Sequence, residues 1–238
     1  MAKITEIKAN IFESSCQTLV NTVNCVGVMG RGLALEFKNR FPAMFKSYEE
    51  ICNKQLLEPG MLYLYKDCTP WILNFPTKVH WKHPSQISHI EFGLKKFSET
   101  YAAKGITSIA FPQLGTSLGG LQWDDVKKLM YQYLRPLKNI DIEIYHFDPT
   151  AKDSLFDKLL QRINRFDVVE YKKYLGINRK QALLIIEAIR EGRLHSMMSL
   201  QNIKGVGDKT LEMIYRFAAD ENMQQRIVTE QEKQPALF

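Results

Sequence analysis

The stretches best suited to chemistry are two glycine-bearing loops, Gly27 to Gly32 and Leu114-Gly115-Thr116-Ser117-Leu118-Gly119-Gly120. Each follows a strand-like run and precedes a helix-like one. Unpaired N–H groups at a helix start lie beside a partial positive charge, and glycine lets the main chain approach an anion closely. The pair therefore suits a pyrophosphate. Neither loop reads G-x-G-x-x-G or G-x-x-x-x-G-K-[ST], which disfavours that kind of dinucleotide fold and a P-loop. Asn21 and Asn24 put carboxamides at the end of the strand before the first loop, where such residues commonly form turns. Cys16, Cys25, Cys52 and Cys68 form no C-x-x-C pair, so neither a zinc site nor a disulfide framework is expected. Reduced, mostly buried thiols are the expectation, with no metal and no cofactor.

The elements that must position these loops alternate. Strand patterns occupy residues 3–8 (an edge strand), 18–24, 61–65, 71–75, 107–111 and 141–147. Helical spacing opens at Leu33, with Pro42 ending that helix or starting the next. It returns after Ser85, read as the N-cap of a long helix closed by Gly105, and from about Trp123 to Leu134. Residues 1–150 thus read as an α/β domain with a largely parallel sheet, which binds ligands beyond the carboxyl ends of its strands. Residues 151–238 read as helical, without internal repeat or low-complexity tract, and with a polar tail from about Met223.

Composition is consistent with a folded chain: 238 residues, 45% hydrophobic and 24% charged, excluding disordered, collagen-like and disulfide-stapled classes. No apolar run approaches the roughly 20 residues of a membrane span, and Met1 to Glu6 holds no signal core, so a cytoplasmic protein is expected. The net charge of +6 permits an anionic partner without demanding one.

Asn10, the run Val20-Asn21-Thr22-Val23-Asn24 and the first glycine loop resemble a macrodomain, the ADP-ribose-binding fold. Asn21 to Ala34, Asn74 to Trp81 and Gly115 to Trp123 resemble more closely its DarG-like branch, antitoxins that remove ADP-ribose from thymidine in DNA. The resemblance covers about residues 1–150. It implies a three-layer α/β/α fold with a mixed, largely parallel sheet, followed by a smaller all-α region. It implies that Asn24 sits against the distal ribose, and that the backbone of Gly30, Arg31, Gly32 and Leu33 wraps one side of the diphosphate. Thr116, Ser117, Leu118, Gly119 and Gly120 would wrap the other, with Asn10, Ile11 and Asn21 completing the ADP-ribose site. Lys78 matches the branch's catalytic lysine, and His80 follows two residues on in what reads as an extended run, which would place both on one face. Neutral, a desolvated lysine attacks the opened ribose as an amine; protonated, it stabilises charge on the departing base. Histidine carries protons near neutral pH.

Two departures bear on the substrate. Asn10 stands where many macrodomains carry an adenine-binding Asp, and its oxygen accepts the same hydrogen bond more weakly. Where hydrolases of ADP-ribosyl-glutamate place an acid, this chain has Gly119 or Gly120. The nearest acids, Asp124 and Asp125, read as helix-dipole partners. The missing acid leans toward nucleic acid, with Trp81 and Lys82 available to a base and its phosphates. Leu200 to Thr210 resembles a helix-hairpin-helix element, near 198–217, whose Lys204, Gly205, Gly207 and Lys209 would meet DNA phosphate. In DarG-like proteins the region after the macrodomain docks onto the partner toxin, and this segment is equally open to that role. The expected activity is hydrolysis of ADP-ribose from ADP-ribosylated DNA, single-stranded and thymidine-linked, reversing a DarT-like toxin. The alternatives are a non-catalytic ADP-ribose reader, or a hydrolase of ADP-ribosyl-protein or ADP-ribose-1″-phosphate.

Overall fold

The structure, a computed structural model, describes residues 1–223 and 225–227. Most of the polar tail expected from about Met223 lies outside them. The chain divides into two compact units, Met1–Lys152 and Asp153–Phe238.

The first unit is built on one six-stranded sheet, in the order β1 (Lys3–Lys8), β6 (Asp141–His146), β5 (Ser108–Pro112), β2 (Thr18–Val23), β4 (Trp71–Pro76) and β3 (Tyr63–Tyr65). All pairings are parallel except β3 with β4, so the sheet is mixed. β1 lies at an edge as expected; β3 is shorter than the run read from Met61. Side chains alternate across β2. Val20 joins a core with Phe75, Ile90, Leu94 and Phe111 under α3 (Ile87–Thr100) and α4 (Trp123–Leu134). Leu19 and Val23 join Phe37, Met44 and Tyr48 under α1 (Gly32–Arg40) and α2 (Pro42–Asn53). Helices on both faces of a sheet bury both sides of each central strand, giving a three-layer α/β/α fold. Pro42 starts α2, where its missing N–H costs nothing.

Ser85 is not the N-cap of α3. Gln86 occupies that position without a side-chain bond, and Ser85 is buried against the second glycine loop. α3 ends at Thr100, and Gly105 (φ +75°) closes the turn that follows.

The second unit contains α5 (Ser154–Ile163), α6 (Val168–Glu170), α7 (Arg179–Arg190) and α8 (Asp208–Ala219). A π-helical turn at Tyr171–Leu175 and a 3-10 helix at Met197–Asn202 lead into α7 and α8. Asp153, buried, caps α5 through Leu155 and Phe156 N–H and accepts from Met197 N–H at 2.9 Å. Contrary to the expectation of no internal repeat, residues 171–190 of this unit are repeated in burial pattern by residues 200–219, at an offset of 29. α7 and α8 have equal length, and buried Ala182, Ile185 and Ala188 correspond to buried Leu211, Ile214 and Phe217. No helix among the described residues is long and apolar enough to cross a membrane.

Candidate active site

β2 and β5 are parallel neighbours, and each runs into one of the glycine loops, so both loops emerge at one edge of the sheet. In the first, the Asn24 carboxamide organises the turn. Its Oδ1 accepts from Val26 N–H at 3.0 Å and Val28 N–H at 3.3 Å, and its Nδ2 donates to the Val28 carbonyl. Buried Tyr48 donates its hydroxyl to the Asn24 carbonyl at 2.7 Å, a brace with no signal in the local sequence. Gly30 and Arg31 are exposed, and Arg31 precedes α1 in extended conformation. Gly32 (φ +60°) and Leu33 open α1, so the N–H groups of its first turn lie at this edge.

The second loop is a compact turn. Gly120 N–H donates to the Thr116 carbonyl at 2.8 Å, Leu121 N–H to Gly115, and Ser85 N–H to Gly119 at 2.9 Å. A Cβ on Gly119 would overlap the Gly115 carbonyl and the Ser85 hydroxyl, so glycine is required there by space. Ser117 and Leu118 are exposed at its crest.

The two loops meet. Leu118 Cδ1 lies 3.1 Å from where a Cβ on Gly32 would stand. The segment after β4 joins them: Thr77 N–H donates to the Val23 carbonyl at 2.9 Å and Cys25 N–H to the Val79 carbonyl at 3.0 Å, while Lys78 Nζ donates to the Leu118 carbonyl at 3.0 Å. Burial holds the Lys78 ammonium below the ordinary lysine range.

His80 is placed differently from the sequence expectation. β4 ends at Pro76 and the chain bends, so Lys78 and His80 do not share an extended face. His80 Nδ1 accepts from Lys82 N–H at 3.2 Å, and its ring stacks on Trp81 with centroids 5.5 Å apart. Trp81 is half exposed, with Lys82 Nζ 5.1 Å from its ring centroid.

Asn21 lies away from the loop edge. It is fully buried in β2, opposite Asn74 of β4, and donates to Asn74 Oδ1 at 3.0 Å. A side chain enclosed by the sheet's own layers presents nothing to a ligand at the loop edge. Asn10 Oδ1 accepts from Phe12 N–H at 3.1 Å, capping a 3-10 turn at Ile11–Glu13 that buries Ile11. One lone pair remains on Oδ1 for a second donor.

Cys16 and Cys52 are buried, Cys25 and Cys68 half-buried, and all four are free thiols. Burial pushes Cys16 up to about 11 and Cys25 to about 12, which keeps both protonated and unreactive at neutral pH. Lys204 and Lys209 are exposed beside Gly205 and Gly207, in the second unit. Among the described residues no group of three or more His, Cys, Asp or Glu side chains is placed to hold a metal ion.

The macro domain family model matches residues 20–130. A DNA ADP-ribosyl glycohydrolase of Mycobacterium tuberculosis is 39% identical over 146 residues, 60% of this chain and 42% of that protein. A DNA ADP-ribosyl transferase-DNA ADP-ribosyl glycohydrolase fusion protein of Thermosipho africanus is 41% identical over 158 residues, 58% of this chain and 40% of that protein. The chain thus spans about two fifths of the length of these relatives. The solved macrodomain of Mycobacterium tuberculosis DarG is 38% identical, with a TM-score of 0.59, over 61% of this chain and 98% of that one.

Proposed function

This chain belongs to the macrodomain family, and from that premise we propose that it releases ADP-ribose from ADP-ribosylated DNA, reversing the action of a DarT-like transferase. The observation that carries this reading is Lys78. Its amine is partly desolvated and bonded to the crest of the second glycine loop, which itself touches the first. In this reading the backbone at Gly30 to Leu33 and at Thr116 to Gly120 grips the diphosphate from two sides, and the amine faces the anomeric carbon.

The scissile bond joins ribose C1″ to a base nitrogen, and C1″ gains positive charge as the bond breaks. The base departs with the bonding pair and a proton, and water supplies the hydroxyl that ends on C1″. A lysine with depressed pKa contributes as a neutral amine: C1″–O4″ opens with a proton going to O4″, the amine adds to C1″, and the base leaves with the C1″–N pair and a proton to give a Schiff base. Water then adds to C1″, the amine is released and O4″ closes the ring. Asn24 holds the first loop beside the distal ribose, and Asn10 accepts from the adenine amine. His80, tied into the Trp81 turn, moves protons at the mouth. Trp81 and Lys82 receive a single-stranded base and its phosphate.

The missing acid at Gly119 and Gly120 supports DNA over glutamyl-protein. The relative in which transferase and glycohydrolase are fused supports a transferase partner. The test is a substrate panel: ADP-ribosylated thymidine oligonucleotide, ADP-ribosyl-glutamyl peptide and ADP-ribose-1″-phosphate. Release from the oligonucleotide alone is expected. Saturable binding without release would make the protein a reader, and release from the peptide or phosphate instead would move the substrate.

A further inference from the structure

The duplication in the second unit carries an inference independent of the hydrolase reading. Gly176 (φ +74°) faces Met213, with a Cβ there 3.9 Å from Met213 Sδ. Gly205 (φ +99°) faces Leu184, with a Cβ there 3.0 Å from Leu184 Cδ1. Under the 29-residue offset Gly176 corresponds to Gly205 and Leu184 to Met213, so the contacts are reciprocal. Reciprocity, in which i meets j and j meets i, is the signature of a two-fold axis. Gln181 and Thr210, also equivalent, hydrogen-bond to each other at 2.6 Å and therefore lie on that axis.

Charge is concentrated around the same axis. The hairpin stretches 171–181 and 200–210 hold Lys172, Lys173, Arg179, Lys180, Lys204 and Lys209 against one carboxylate, Asp208. Elsewhere in residues 151–238 there are nine cations and eleven acids. Lys180 and Lys209, the equivalent residues adjoining the on-axis pair, are both exposed.

We propose that this face binds double-stranded nucleic acid through its two phosphate backbones, with Lys180 and Lys209 each meeting one strand. A duplex has local dyads relating its antiparallel strands, and a protein two-fold aligned with such a dyad presents identical groups to both. A single strand has no such dyad, and would use one hairpin and leave the other idle. Contacts to phosphate carry no sequence information, so the binding is expected to be non-specific and salt-dependent.

The test uses the full chain and unmodified DNA, so its failure leaves the hydrolase reading standing. Fluorescence anisotropy compares a labelled duplex with each separated strand across a salt series. Duplex affinity roughly tenfold above that of either strand is expected from engagement of both backbones. Lys180→Gln and Lys209→Gln should each lower the salt slope by about 1 and weaken binding to a similar extent, and the double variant should lower it by about 2. A Lys180→Arg/Lys209→Arg pair, which keeps both charges, should bind as the parent does. Equal affinity for duplex and strands in the parent chain overturns the proposal without recourse to any variant. So does a loss confined to Lys209→Gln, or a double variant that keeps duplex binding and loses a purified ADP-ribosyltransferase.

Discussion

Lys78 Nζ donates to the main-chain carbonyl of Leu118 at 3.0 Å, across forty residues of sequence. The crest of the second glycine loop therefore holds the one side chain assigned to attack. The loop that grips the diphosphate also fixes where the amine starts. Lys78→Ala removes the amine and leaves both loop backbones, so release of ADP-ribose from the oligonucleotide should fall at least about a hundredfold. ADP-ribose binding, measured by calorimetry, should persist. Parental turnover in that variant would remove Lys78 from the chemistry.

The direction of the Lys78 shift sets a pH dependence. Burial disfavours the ammonium, so the neutral amine appears at lower pH than for an ordinary lysine. The single-turnover rate should rise with pH and level off below the usual lysine range. A rate that falls over the same interval would assign the work to the protonated form.

Gly119 and Gly120 are adjacent, yet they demand glycine for different reasons. A Cβ on Gly119 meets the Gly115 carbonyl and the Ser85 hydroxyl, whereas one on Gly120 meets open space at φ +79°. Gly120→Ala should cost about 1–2 kcal/mol of backbone strain. Gly119→Ala should cost more and displace the loop, with a clear loss of ADP-ribose affinity. Denaturation and calorimetry on both variants check the order; equal affinities would detach the second loop from the ligand.

Much of this arrangement is legible in the residues. The 3–4 spacing from Trp123 to Leu134 gives α4 with its bounds, and two strand–glycine–helix passages suffice to place both loops at one sheet edge. What is not legible depends on tertiary contacts. Ser85 has the side chain of a cap, but the second loop packs over it and α3 starts from Gln86 instead. Lys78 and His80 alternate as if extended, but the chain bends once Val79 has bonded back to Cys25. The duplication is hidden because burial is repeated while identity is not. Between 171–190 and 200–219, only Gly176/Gly205, Lys180/Lys209 and Ile185/Ile214 are the same residue.

Asn21, a site residue by its motif, acts inside the sheet. Asn21→Ala leaves Asn74 Oδ1 without the donor it has at 3.0 Å. Stranding a buried acceptor costs about 1–3 kcal/mol. Stability should fall by that order while the folded fraction keeps its ADP-ribose affinity. A drop in affinity beyond the folded fraction would return Asn21 to the ligand.

Glu6 couples the edge strand to α4 and gives the first unit its acid limit. Its carboxylate accepts from Lys127 Nζ and the Tyr131 hydroxyl, each at 2.7 Å, and lies 2.8 Å from His146 Nε2. These donors, Lys127 foremost, hold Glu6 at about 2, below its ordinary value of 4.5. A carboxyl depressed in the folded state stabilises fully above its unfolded pKa, and that contribution is lost as pH falls through the folded one. The loss should therefore run from about pH 4.5 down to about pH 2. Trp71, Trp81 and Trp123 all lie in the first unit, so tryptophan fluorescence follows its melting alone. Glu6→Gln should lower its melting temperature at neutral pH and flatten the decline across that window. Parallel pH profiles for parent and variant would show that the lysine, the tyrosine and the histidine do not stabilise the carboxylate.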